Sequence, residues 1–301
     1  MKEKFIKSSI ILIIGGAITK LLGMVNKIFM MRLLPVSGIN LYTLVLPTYS
    51  LFVSLATFGF PTAVSKMVAE SDKNNKRLLL STVLASIFIN LCLVLFIIFT
   101  AKYLTHNLLR EDKLYYAVLS IALVIPFSSI SSILRSYFFG KMKLFPHVFS
   151  NILEDVVRFL MIFFGIPIFS KYGVVVQVTF LVLSNVLAEF SAIVCLLLFF
   201  PKDVIITKND MRPSKVYLKD SLEIGVPTTI NRLVGSFTFF LEPIVLTSLL
   251  LYTGFTKHYI ISEYGILNAY VIPTLLLPTF FSGAISQALL PVVSKSFKDK
   301  K

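Results

Sequence analysis

The sequence has no tryptophan, and only two cysteines and three histidines among its 301 residues. Cys92 and Cys195 both lie inside apolar runs, which excludes a disulfide scaffold and reads as small core residues. His106, His147 and His258 are scattered without metal-ligand spacing. Acids are also scarce, with 15 Asp and Glu against 29 Lys and Arg. No phosphate-binding glycine loop, HExxH, CxxC or GxSxG occurs, and no paired carboxylates fall in a soluble segment. The longest polar stretch, 201–221, is too short to house an ATPase, so any transport must draw on an ion gradient, the membrane potential or a substrate gradient. Nothing implies a resident cofactor or metal. Charged residues make up 15% of the chain, where a soluble domain carries about a quarter. Disorder and an ordinary cytosolic enzyme are thereby excluded.

What is present is apolar. Such residues make up 56% of the chain, 28 of them Phe, and mean hydropathy is +0.85. That is too much for one soluble core of this size. It fits an all-α polytopic membrane protein. Runs near 8–31, 41–69, 78–101, 114–137, 147–169, 174–200, 222–251 and 266–293 each reach the roughly 20 residues that cross a bilayer. The spacing therefore predicts eight transmembrane helices. The first run is too long for a signal peptide and carries Lys20 and Lys27.

The net charge of +14 could suggest nucleic acid, but the cations sit in short clusters between apolar runs rather than on a soluble module. Nineteen of the 29 fall on one side: Lys2 to Lys7, Lys66 to Arg77, Arg135 to Lys143, the 201–221 segment and the Lys295 to Lys301 tail. Six fall on the other: Arg32, Lys102, Arg110, Lys113, Lys171 and Lys257. The positive-inside rule then places both termini in the cytoplasm of a multi-pass cell-membrane protein. The domain reading is a six-helix lobe over 1–200, a cytoplasmic linker at 201–221, and the start of a second lobe over 222–301.

The second lobe repeats the first. Shifted by 212 residues, Ile18-Thr19-Lys20-Leu21-Leu22-Gly23 faces Ile230-Asn231-Arg232-Leu233-Val234-Gly235. Leu44-Val45-Leu46-Pro47-Thr48-Tyr49 resembles Leu275-Leu276-Leu277-Pro278-Thr279-Phe280. Copies that begin six spans apart are parallel, related by an axis along the membrane normal. A complete second copy needs six spans and only two are present, so the chain is expected to be a fragment or a truncated reading frame.

Charges inside spans are the candidate functional residues, because each costs about 2.5–3.5 kcal/mol on insertion scales. Lys20 and Arg232 stand 13 positions into the matched segments, roughly 20 Å along the helix. Lys27 lies seven residues beyond Lys20, on nearly the same face. Together they suggest a positive cavity. Glu154 and Arg158 can pair as i,i+4 neighbours, with Asp155 between them. Glu189 and Glu242 can pair with a cation or carry a proton. Prolines at 47, 61, 126, 227, 243, 273 and 278 interrupt the spans and suit helices that rock between two packings.

Thr19-Lys20-Leu21-Leu22-Gly23-Met24-Val25-Asn26-Lys27 resembles the S-K-x-L-G-x-x-x-R run of stage V sporulation protein B-type polysaccharide exporters. Leu33-Leu34-Pro35-Val36-Ser37-Gly38 with Tyr42 resembles their L-L-G-P-x-G-x-x-x-Y. Gly59-Phe60-Pro61-Thr62-Ala63-Val64-Ser65-Lys66 is similar to G-I-P-x-A-I-S-K. Glu154-Asp155-Val156-Val157-Arg158 is similar to E-Q-x-x-R, and Tyr264-Gly265-Ile266-Leu267-Asn268-Ala269-Tyr270 to Y-G-x-L-x-x-Y. Thr19, Lys27 and Asp155 are mild departures; Pro35-Val36 in place of Gly-Pro alters the first turn. The resemblance implies a MATE-like fold in the multidrug/oligosaccharidyl-lipid/polysaccharide flippase superfamily. This chain would supply the six-helix first lobe and the opening two helices of the second. It implies flipping or export of a lipid-linked saccharide, a cell-wall or spore-envelope precursor, by alternating access. A polyprenyl-diphosphate-linked saccharide has an anionic head. Lys20, Lys27 and Arg232 would bind it in a central cavity, and Arg32 near the outer mouth would assist release. The rival readings are a drug/cation antiporter, which would favour acids in the cavity, and a non-transporting scaffold for envelope assembly.

Overall fold

A bilayer leaves the backbone no water to bond with, so each apolar run satisfies its own amides by coiling into a helix. The computed structural model describes residues 2–70, 75–200 and 215–276, and all regular structure among them is helical. The α-helices are α1 (Lys2–Leu33), α2 (Val36–Thr57), α3 (Phe60–Glu70), α4 (Asn75–Tyr103), α5 (Tyr115–Gly140), α6 (Leu144–Leu160), α7 (Ile166–Phe169), α8 (Val174–Leu198), α9 (Lys215–Tyr252) and α10 (Lys257–Ile266). Wider π-helical turns cover Leu104–Leu108, Met161–Gly165 and Leu267–Val271. Six of the helical stretches are long and apolar enough to cross a membrane. The stretch holding α6 and α7 coincides with the fifth expected span; the one opening with α10 starts at Lys257, nine residues ahead of the eighth, and overlaps it over 266–276. Residues 201–214, most of the expected linker, lie outside the described residues. So do 277–301, which hold the rest of the eighth span, Pro278 and the tail lysines.

The second expected span is two helices. Phe58 and Gly59 both take left-handed backbone, at φ 45° and 60°, and turn the chain between α2 and α3. That region is uncommon for a side chain as large as Phe58. The prolines behave differently. Pro47, Pro126, Pro227 and Pro243 all lie inside continuous helices.

Helix α5 is central: 67% of the residues in its apolar stretch are buried, against 11% for α1. Helix α5 packs on α8, α4, α3 and α2; α1 packs mainly on α6. Outward faces carry exposed Phe88, Phe99 and Leu198, the inverse of a soluble protein and as expected for lipid contact. Inside, small hydroxyl residues let helices approach and bond across: Ser86 and Ser129 at 2.6 Å, and Ser129 donating to the Ala56 carbonyl at 2.9 Å.

Helices α9 and α10 lean on α2 and α3. At one end of α2, a Cβ at Gly265 of α10 would lie 1.9 Å from Asn40 Oδ1. Further along, Ser54 and Ser236 share a hydrogen bond of 2.6 Å. Where α2 gives way to α3, a Cβ at Gly59 would lie 2.4 Å from the Gly225 carbonyl oxygen of α9. Only glycine permits that backbone contact, and its positive φ suits the same position.

Candidate functional site

Two groups of charges occupy the bundle. The first is buried within the first lobe. Glu154 on α6 accepts from Arg158 one turn later in the same helix and from Arg135 on α5. Arg158 also bonds Asp155 at 2.9 Å and Asn185 of α8 at 3.1 Å. Glu189 on α8 accepts from Ser131 at 2.5 Å and stands 3.6 Å from Arg135. Arg135 further reaches Ser150 at 3.4 Å. Asn26 of α1 donates to the Asp155 carbonyl at 3.1 Å. Two guanidiniums and three carboxylates thus tie α1, α5, α6 and α8 together. Such groups enter an apolar interior only when paired and hydrogen-bonded, and here all five are.

This arrangement bears out the i,i+4 pairing of Glu154 with Arg158 and finds a cation for Glu189. It also corrects one assignment. Arg135 was counted with the loop cations; it lies inside α5 with its side chain 15% exposed, held by Glu154. The signal was available, since the fourth apolar run extends to residue 137 and so encloses it.

The second group is the intraspan cations. Lys27 is half-buried and directs Nζ to the Asn268 carbonyl, 3.5 Å away, in the π-helical turn after α10. A π turn widens the helix and loosens its own carbonyl bonding, which makes that oxygen available to a donor from outside. Adjacent Asn26 turns the opposite way, to the buried cluster, so residues 26 and 27 connect α6 to the turn after α10. Lys20 and Arg232 lie on exposed faces of α1 and α9, and Arg32 is exposed in the last turn of α1. Helix α9 packs mainly on α2 and α3 rather than on α1. Glu242 is half-buried on α9, near Tyr264 of α10. Sequence reasoning passed over a cleft of about 310 Å³ at the end of the bundle where α1 stops, lined by residues including Glu111 and Lys113 of the α4–α5 connection and Lys257 of α10.

Residues 5–297 match the family described as polysaccharide biosynthesis protein. The chain belongs to that family. Among its relatives is stage V sporulation protein B of Bacillus subtilis (strain 168), 31% identical over 310 residues that take in 100% of this chain and 60% of the relative. The lipid II flippase MurJ of the same organism is 22% identical, over 99% of this chain and 59% of its own length. The chain therefore spans about three-fifths of these two relatives. Among solved structures, an inward-facing multidrug resistance MATE family transporter of the MOP superfamily superimposes with a TM-score of 0.64. Identity is 18%, over 86% of this chain and 58% of that one. A MOP superfamily transporter from Pyrococcus furiosus gives 0.61 at 18% identity, over 89% and 63%. At that identity the likeness concerns the fold, and the fold of this family member is MATE-like.

Proposed function

We propose that this protein takes part in flipping or exporting a lipid-linked saccharide, with the diphosphate of a polyprenyl carrier as the group it grips. The observation that carries the reading is the placement of Lys27. It is a half-buried cation on α1 whose only described hydrogen bond is a long one, 3.5 Å, to a carbonyl of the opposite lobe. An anionic headgroup would be a far better partner, since hydrogen bonds between ionised groups are about twice as strong as neutral ones. Lys20, about 10 Å along the same face of α1, extends the positive surface, and Arg232 is an exposed cation on α9. Family membership supports the substrate class, and the MATE-like fold supports alternating access. In this reading the lobes are residues 1–200 and 222–301, joined through 201–221, and both termini are cytoplasmic. Arg32 stands at the outer mouth. The cluster of Glu154, Asp155, Arg158, Glu189 and Arg135 braces the first lobe, and Glu242 and Tyr264 lie where α9 meets α10.

The test is reconstitution of the 301-residue chain in liposomes with a fluorescent lipid-linked saccharide. Flipping is expected, and Lys20→Gln, Lys27→Gln and Arg232→Gln should each lower its rate by at least tenfold at unchanged insertion. No flipping by the unaltered chain, or undiminished flipping by the three variants, rejects the reading.

A further inference from the structure

The cleft where α1 ends is walled by both lobes. Ser37, Asn40 and Leu41 come from α2, Glu111 and Lys113 from the connection between α4 and α5, and Lys257, His258 and Ile261 from α10. Its volume of about 310 Å³ falls at the lower end of ligand sites, which run from about 300 to 1,000 Å³. Glu111 is the one acid in this lining; its neighbour Asp112 is turned to His106, 3.0 Å away. Glu111 holds Lys257 at 3.0 Å, an ion pair from one lobe to the other.

We propose that this cleft is a binding site for a phosphate-type anion, which takes Lys257 from Glu111 and so undoes the ion pair between α10 and the α4–α5 connection. Three features carry the proposal. The lining is rich in donors: two ammonium groups, an imidazole, the Ser37 hydroxyl and the Asn40 amide. Helix α10 begins in the cleft, with Thr256 capping the Tyr259 amide, so its positive end adds to the field. The Lys257 side chain is 44% exposed against 12% for Glu111, so water and dissolved ions reach the pair from the lysine side. A phosphate carries close to two negative charges at neutral pH where Glu111 carries one, so the exchange favours the anion. The proposal rests on the transport reading for its purpose: it places an anion-sensitive latch at the end opposite the N-terminus, where a translocated headgroup would leave. The binding itself is independent of transport.

The experiment uses the full chain in nanodiscs and titrates inorganic pyrophosphate at low ionic strength by calorimetry. Lys257→Gln and Lys113→Gln should each weaken binding by about tenfold, the scale of one charge-assisted hydrogen bond. Glu111→Gln should tighten it by a similar factor, because the competing carboxylate is gone. Lys66→Gln, on α3 beyond the end of α2 opposite the cleft, should change nothing. A misfolded variant cannot gain affinity, so the Glu111→Gln result separates the site from a loss of structure. Nanodiscs doped with an isoprenyl diphosphate, compared with the free isoprenol, identify the source. Competition by the lipid diphosphate marks a headgroup site; pyrophosphate binding without that competition marks a site for soluble phosphates. Absence of pyrophosphate binding, or Glu111→Gln failing to tighten it, overturns the proposal. Opposite shifts in a chain that flips nothing would uphold the site and reject the transport reading; flipping without those shifts would do the reverse.

Discussion

Arg135 and Arg158 lean on one carboxylate, Glu154, from two helices. Glu154→Gln keeps the shape and removes the charge, leaving two guanidiniums to share Asp155 and Glu189. Removing one partner of a buried pair costs about 3–5 kcal/mol, because the survivor stays desolvated. By contrast, Lys66 and Glu70 stand 4.0 Å apart on the surface, and such a pair contributes at most about 1 kcal/mol. We therefore expect a clear fall in melting temperature for Glu154→Gln and almost none for Lys66→Gln, measured by thermal unfolding in detergent. Equal melting temperatures would mean that the cluster does not brace the lobe. The Glu154–Arg158 pair was legible in the sequence because i,i+4 spacing fixes two side chains on one face. The Arg135 contact was not, since no local spacing links residues on α5 and α6.

At the scale of helices, run length was a good guide and local conformation a poor one. The apolar run at 174–200 became α8, ending at Leu198. Helix α9 starts at Lys215, well before the apolar run at 222, and polar residues such as Lys219 and Glu223, 3.7 Å apart, sit in its first turns. Hydropathy marks where a helix meets lipid and says nothing of where it begins. The turn at Phe58 and Gly59 was hidden for a related reason: a left-handed phenylalanine has no compositional mark, whereas the prolines that looked like breaks are accommodated. Helix contact distances add a prediction. A Cβ at Gly15 of α1 would fall 2.0 Å from Val148 Cγ1 of α6. Gly15→Ala should destabilise by about 1–3 kcal/mol through overpacking. Val148→Ala in the same chain should recover most of that loss. Purely additive unfolding energies in the double variant would show that the two helices are not in contact there.

For the molecule as a whole, the imbalance of loop cations gives a topology that can be checked directly. With Cys92 and Cys195 replaced by Ser, a single cysteine at Lys171 should react with an impermeant maleimide added outside intact cells, and one at Lys141 should react only after lysis. The opposite pattern would invert the orientation. The seam along α2 and α3 has a mechanical consequence. It is fastened at both ends, like the spine of a bound book, so while both fastenings hold, α9 and α10 can only swing about it as a cover does. In the proposed alternating access, opening one side of the membrane at a time would require one fastening to slip. The end at Gly59 and Gly225 is backbone against backbone, which no dissolved ion can prise apart. The end near Asn40 adds an ion pair, Glu111 with Lys257, to its close contact, and charge can be traded.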